Sequence, residues 1–312
     1  MASVGDVKRR LSKDFISSVY EQFSPGTADR MLLAMAGERR TTLRVNTLKY
    51  SIRELMECLN SNDIKYERVN WYSDALILRN AKEKDIVRLD IYEKGYVYLQ
   101  SLSSMVPPLV LDPKPGDRVL DVTAAPGSKT TQMAAMMENQ GRILANELDP
   151  IRTERLRYNV EKQGASIVEV TQGRGEKLYE IYQGQFDKVL LDAPCSGEGR
   201  FLINDKRTYS SWSTKEVDRL SRLQRRLMES AVKCMKKGAI LVYSTCTLNQ
   251  KENEEILYWA EECLDLRILD ININLPSSQP ADTNLSPELS KGLRIIPSRD
   301  MEGFFVSKFV KL

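Results

Sequence analysis

Phe186-Asp-Lys-Val-Leu-Leu-Asp192-Ala-Pro-Cys195-Ser-Gly197 limits the fold more than any other stretch of this chain. An apolar run rich in branched residues, ended abruptly by polar ones, has the pattern of a strand buried on both faces of a parallel sheet. Open α/β sheets bind their ligands at the carboxyl ends of such strands. Proline fixes the backbone at this exit, so Asp192 and Cys195 stand on a stiff corner. Taken alone, the run could be an ordinary strand exit with a buried cysteine. Gly238-Ala-Ile-Leu-Val-Tyr-Ser-Thr-Cys246 repeats the pattern. If the two strands are neighbours, two thiols point into one crevice.

The surrounding order of elements predicts the same sheet. Arg118–Val122, Arg142–Glu147, Ile167–Val170, Phe186–Leu191 and Gly238–Cys246 read as strands. Helices are expected between them over 129–137, 151–163, 177–182 and about 213–231. On the last, Val217, Leu220, Leu223, Leu227 and Ala231 recur at helical spacing behind the capping pattern Ser213-x-x-Glu216. Alternation of this kind builds βαβ units. A helix over 252–263 and strands over 266–269 and 303–310 follow, with 272–288 read as a loop.

Ahead of this region lie helices over 7–23 and 28–36 and strands over 41–47, 64–69, 75–78 and 95–100. A helix from the Ser51-x-x-Glu54 cap to about Leu59 falls among the strands. Prolines 107, 108, 113 and 115 punctuate the join. The expected division is a mixed α/β module over 1–105, able to contact RNA, and an α/β domain over 106–312. Arg39, Arg40, Arg44 and Lys49 are candidates for phosphate contacts, although a solvated surface would explain such charges as well.

Composition removes several kinds of chemistry. The 312 residues contain no histidine, which eliminates imidazole acid–base catalysis, histidine triads and histidine-ligated metals. Five cysteines without a CxxC pair point to a reducing, cytoplasmic setting and to no structural metal. No apolar run reaches the ~20 residues of a membrane span. Met1 to Asp14 has no apolar signal core, so export is not expected. A net charge of +3 does not identify a nucleic-acid partner by itself.

The turn after the first parallel strand, Asp121-Val-Thr-Ala-Ala-Pro-Gly-Ser-Lys129-Thr, is small enough for close ligand approach. It is not a phosphate-binding P-loop, because Ser128 and Thr123 stand where that motif needs glycine. Glu147 ends the second strand, where an acid can hold a ribose diol. Its alternative is a surface acid paired with Arg152.

Asp121-x-x-Ala-Ala-Pro-Gly-x-Lys129, Asp192-Ala-Pro-Cys195-Ser-Gly and Ser244-Thr-Cys246-Thr, in this order, resemble the RsmB/NSUN (Nol1/Nop2/Sun) family of S-adenosylmethionine-dependent RNA cytosine-5 methyltransferases. Gln100-x-x-Ser-Ser-Met105, Glu252-Asn-Glu254 and Gly303-Phe-Phe extend the resemblance over most of the chain. Glu198-Gly199 and Trp212-Ser213 are most similar to the RsmF-type ribosomal RNA branch.

The resemblance implies a Rossmann-like class I sheet, mostly parallel with an antiparallel last strand. It implies that Thr123, Ala124, Ala125, Pro126, Gly127, Ser128 and Lys129 wrap the methionine end of S-adenosylmethionine. Glu147 would hold the ribose with Arg152 nearby, and Asp192 would lie between cofactor and base. Cys246 would be the nucleophile and Cys195 the group that helps release product. Where many members carry an adenine-contacting acid, this chain has Arg174, with Glu176 as the substitute at hand. RNA, either rRNA or tRNA, is the expected partner of a monomeric protein that needs no metal, and no appended RNA-binding domain is expected.

The chemistry fits these residues. C5 of cytosine is too weak a nucleophile to take a methyl group unaided. A thiolate adding to C6 makes C5 enamine-like and reactive. A protonated carboxyl, Asp192, could relieve the charge that gathers on N3 and O2, and Lys129 is the candidate to acidify the thiol. A methyltransferase acting on an exocyclic amine would favour a second proline and an aromatic after Asp192, and would leave Cys246 idle. An RNA-binding assembly factor would have no use for two thiols.

Overall fold

The computed structural model describes residues 3–312; Met1 and Ala2, the start of the stretch read for an export signal, lie outside the described residues. The chain opens with α1 (Val4–Arg10), α2 (Lys13–Gln22) and α3 (Pro25–Ala36). The single helix expected over 7–23 is divided at Ser12, whose extended backbone and side-chain bond to the Phe15 N–H begin a new helix. Val7, Phe15, Val19 and Leu32 pack on Phe201, Ile203, Leu248 and Ile296. These helices therefore brace the loops that follow the larger sheet's strands.

A small antiparallel sheet comes next. Its elements are β1 (Thr42–Val45), α4 (Ile52–Ser61), β2 (Tyr66–Arg68), β3 (Ala75–Leu78), α5 (Glu83–Val87), α6 (Asp90–Glu93) and β4 (Val97–Leu99). The strand order is β2-β3-β1-β4. The reciprocal Ser51–Glu54 capping box starts α4, which lays Leu55 and Leu59 over Leu43, Leu76 and Leu78. The short helices α5 and α6 had no sequence signal, since neither is long enough to show a period.

Prolines 107 and 108 do not break the chain as expected. They lie inside α7 (Leu102–Leu111), which runs across the 105/106 division and buries Leu102, Met105, Val106 and Val110 on the larger sheet. Pro108 cannot donate to the Ser104 carbonyl. That carbonyl instead accepts from Gln100 Nε2 at 3.2 Å, which is how the helix tolerates the proline.

The larger sheet begins with β5 (Arg118–Asp121), α8 (Ser128–Met136), β6 (Arg142–Glu147), α9 (Pro150–Gln163) and β7 (Val168–Gln172). It continues through α10 (Tyr179–Tyr182), β8 (Phe186–Asp192), α11 (Thr214–Cys234), β9 (Met235–Thr245) and α12 (Glu254–Cys263). Strands β10 (Leu266–Leu269), β11 (Ser278–Pro280), β12 (Leu293–Ile295) and β13 (Phe304–Lys311) complete it. The order is β11-β12-β13-β9-β8-β5-β6-β7, with β10 also paired to β13. The pairs among β5 to β9 are parallel, and β13 joins β9 antiparallel. Strands β11 and β12 lie in or beyond the stretch read as a loop; each is three residues long and gains its identity only by pairing. The order of connection reverses between β5 and β8, which opens a crevice at their carboxyl ends.

Candidate active site

Four strand ends meet at that crevice. Asp121 closes β5, Glu147 closes β6, Asp192 closes β8, and Cys246 follows β9. The two thiols come together: Cys195 Sγ lies 3.3 Å from Cys246 Sγ. Asp192 stands beside them, its Oδ1 accepting from Ser244 Oγ at 2.7 Å and its Oδ2 from Lys129 Nζ at 2.6 Å.

The cysteine loops are tied to each other behind the thiols. Ser196 Oγ and Thr247 Oγ1 are 3.0 Å apart, and Glu252 accepts from both the Ser196 N–H and its hydroxyl. Gln224 on α11 also donates to Glu252. Asn253 receives Thr245 Oγ1 and donates to the Thr247 carbonyl. Burial pushes Glu252 up to about 7, with the Ser196 bond opposing it and the Glu198 charge adding to it. Glu198 is also buried and raised; it accepts from Asn249 and from the Trp212 indole. The Glu252-Asn-Glu254 and Trp212-Ser213 motifs thus act as scaffolding under the thiols. The third member, Glu254, is buried in an ion pair with Arg294.

Two other motifs have comparable work. Ser104 Oγ accepts from Lys129 Nζ at 2.8 Å, and Ser103 Oγ donates to the Glu302 carbonyl. Gly303 lies against Gly199, where a Cβ would stand 1.8 Å from the Gly303 oxygen. Only two glycines let these backbones meet.

The other half of the crevice suits a nucleoside. The loop from Thr123 to Ser128 is held by Thr123 Oγ1 on the Asp192 carbonyl, by Arg152 on the Ala125 carbonyl and by Asn159 on the Pro126 carbonyl. Gly127 takes a φ of 104°, a conformation that favours glycine. Glu147 is only 4 % exposed, so it is not a surface acid, although Arg152 approaches it at 3.3 Å. Its Oε1 accepts from the N–H groups of Leu148 and Asp149, while Oε2 is buried without a hydrogen bond and has only the Arg152 charge at 3.3 Å. A buried carboxylate oxygen without a donor is costly, and paired hydroxyls would satisfy it. The residues present therefore fit a nucleoside cofactor. Arg174 is exposed and pairs with Glu176 at 3.2 Å, and the Glu176 side chain is the more enclosed of the two.

Several expectations are corrected. Lys129, the candidate to acidify the thiol, has its ammonium bonded to Asp192 and Ser104 and not to a sulfur. The cation that faces Cys246 is Arg200, which no sequence motif singled out. The phosphate-binding arginines are also reassigned. Arg44 is 1 % exposed and donates to Gln100 and Thr131. Arg40 is held by Glu67 and Asp300, and Arg39 donates to the Gly199 carbonyl. Lys49 donates to the Lys162 carbonyl at the end of α9. Arg44 is buried and Arg40 is paired with two carboxylates, so neither is a free cation for phosphate, whereas Lys49 bonds only to carbonyls and its ammonium stays exposed.

Asp121 is buried, and burial pushes its carboxyl up to about 7 against the hydrogen bond from Thr130. The charge of Asp192 pushes in the same direction. Among the described residues, no group of histidine, cysteine or carboxylate side chains forms a metal cage, and no helix is long and apolar enough to cross a membrane.

Comparison with known proteins agrees with this site. A family model for 16S rRNA methyltransferase RsmB/F matches residues 108–310, and an RsmF/B-like ferredoxin-like domain matches residues 14–84. The chain is 38 % identical over 277 residues to the tRNA (cytosine(49)-C(5))-methyltransferase of Pyrococcus abyssi, covering 87 % of this chain and 88 % of that protein. It is 37 % identical over 310 residues to ribosomal RNA small subunit methyltransferase F of Shewanella amazonensis; that match covers 97 % of this chain and 65 % of the relative's length. A crystal structure of a methyltransferase homologue from Pyrococcus horikoshii superposes with a TM-score of 0.87 at 34 % identity, covering 99 % of both chains. Fold and comparisons together define a class I methyltransferase, in whose crevice two thiols lie side by side. The chain belongs to the RsmB/F family of RNA methyltransferases.

Proposed function

We propose that this protein transfers a methyl group from S-adenosylmethionine to C5 of a cytosine in rRNA or tRNA, with Cys246 as nucleophile and Cys195 as the group that releases product. The observation that carries the reading is the pair of thiols 3.3 Å apart beside Asp192. The cofactor supplies an electrophilic methyl group when bound. Thr123 to Lys129 and Asp192 would line its methionine side, Glu147 with Arg152 would hold the ribose, and Glu176, steadied by Arg174, would serve the adenine.

Cys246 sulfur forms a bond to C6, and the C5–C6 electron pair becomes available at C5 while charge gathers on N3 and O2. Asp192 faces that side of the ring, with Ser244 and Lys129 both donating to it and fixing the direction of its carboxyl, and the Lys129 ammonium offsets the gathering charge. After methylation the C5 proton leaves to water. The electrons of that C–H bond restore the ring double bond as the Cys246–C6 bond breaks. The protein acts as a cytoplasmic monomer without a metal.

Bisulfite sequencing of total RNA tests this reading. A deletion strain loses protection at one or a few cytosines, and the purified protein restores it as 5-methylcytidine. Recovery of N4-methylcytidine instead would establish the exocyclic-amine alternative.

The ribose contact has its own test. Glu147→Ala weakens S-adenosylmethionine binding by about 1.5–3 kcal/mol, the usual worth of hydrogen bonds to a charged group. Calorimetry measures it, with thermal unfolding recorded alongside. Unchanged affinity removes Glu147 from the site.

RNA contact moves to other cations. Lys84 and Arg299 line a cleft between the small sheet and the larger domain, and neither has a side-chain partner among the described residues. Replacing both by glutamine lowers the slope of log affinity against log salt by about 0.7–0.9 for each phosphate that is no longer neutralised. An unchanged slope overturns this placement.

A further inference from the structure

Arg200 lies one turn beyond Cys195, and its guanidinium has neither a hydrogen-bond acceptor nor a carboxylate partner among the described residues. Its place is nevertheless fixed. The Gly199 N–H donates to the Cys246 carbonyl at 3.0 Å, and the Gly199 carbonyl accepts from Gly303 at 3.0 Å and from Arg39 Nη2 at 2.8 Å. The Arg200 N–H closes a turn onto the Gly197 carbonyl at 2.9 Å. The side chain then folds back over Gly197, with Nη2 3.3 Å from the point where a Cβ would stand. A rigid turn bonded to the nucleophile's own carbonyl thus carries an unpartnered, solvent-exposed cation over the cysteine loop. Lys129, the other cation at the site, is already bound to Asp192.

We propose that Arg200 is the counter-ion of the Cys246 thiolate and so a positioning residue for the nucleophile. This rests on the reading that Cys246 attacks the base.

The charged and titratable groups facing Cys246 are Cys195 and Arg200 from the loop after β8, Asp192 from the end of β8, and Glu302 ahead of β13. The hydrogen bond from Cys195 holds the Cys246 thiol below its usual range, and the Arg200 charge acts in the same direction. Burial and the two carboxylates oppose them. Cys195 moves the opposite way, well above its usual range, because it donates that bond and is buried beside Glu252. The effect is reciprocal, since Cys246 is the first cause of the upward shift at Arg200. The two thiols are pushed apart, Cys246 down and Cys195 up, as attack and release require.

Arg200→Gln and Arg200→Lys test the assignment. The rate of Cys246 alkylation by iodoacetamide, read on its own peptide by mass spectrometry, is measured against pH in the full chain without RNA. In Arg200→Gln the midpoint rises by about 1–3 pH units, the shift expected on losing a nearby opposite charge. Arg200→Lys keeps the midpoint near that of the native protein. Methylation by Arg200→Gln at neutral pH falls about tenfold for each unit of that rise and recovers in alkaline buffer. S-adenosylmethionine affinity, unchanged in both variants, reports that the fold is intact. An alkylation midpoint that does not move in Arg200→Gln overturns the proposal, whatever happens to activity. Failure of the underlying reading looks different: Cys246→Ala would still methylate.

Discussion

Cys246→Ala abolishes methylation, by a factor on the order of 10⁴–10⁶, as expected when a covalent nucleophile is removed. The cause is chemical. C5 becomes reactive only after a bond forms at C6, and nothing else in the crevice can form it. Asp192 has both oxygens occupied, and Cys195 is pushed well above its usual range while Cys246 is lowered. Incorporation of labelled methyl groups into RNA from a deletion strain measures the loss, and denaturing electrophoresis shows no protein–RNA adduct. The pH profile carries the matching sign. The native rate falls as pH drops through the lowered value of Cys246, because its charged form is lost. Turnover within a few-fold of native in Cys246→Ala would remove it as the nucleophile.

Cys195→Ala has the opposite signature: it makes a bond that it cannot break. Attack and methyl transfer proceed, but the group that assists release is gone, so enzyme accumulates on RNA. The complex survives denaturing electrophoresis, requires S-adenosylmethionine to build up, and is absent from the double variant. If Cys195 were only a small filler, its alanine variant would turn over normally with no adduct. An adduct from Cys246→Ala would exchange the two roles. The 3.3 Å contact adds a further effect. Cys195→Ala also removes the donor that lowers Cys246, so adduct formation moves to higher pH.

The parallel part of the sheet was legible because its strands carry long apolar runs and its helices long periods. Arg142–Glu147 stands where expected, and so, among the antiparallel strands, do Ala75–Leu78 and Leu266–Leu269. The chemistry was legible too, since Asp192, Cys195 and Cys246 lie at strand ends whose side-chain types have few other uses. What escaped is set by contacts between distant residues. Ser12 ends a helix that periodicity would carry on, and Pro108 stays helical because Gln100 serves the Ser104 carbonyl. Arg44 looks like a surface cation in sequence, and only the fold shows it bonded to Thr131 across 87 positions. Arg200 had no motif to mark it. Its signal was available in principle, as a cation three residues beyond a positive-φ glycine in the cysteine loop.

Strand β13 has a consequence for how the protein is made. It lies between β9 and β12, and the Gly303 that precedes it holds the Cys195 loop through Gly199. Ribosomal synthesis delivers β13 after every other strand, so a nascent chain that stops short of it has an open sheet edge where β9 should be covered. Pairing across such separations is slow, because the intervening loop must close first. During that interval Gly199 lacks the Gly303 contact that braces the Cys195 loop from the far side.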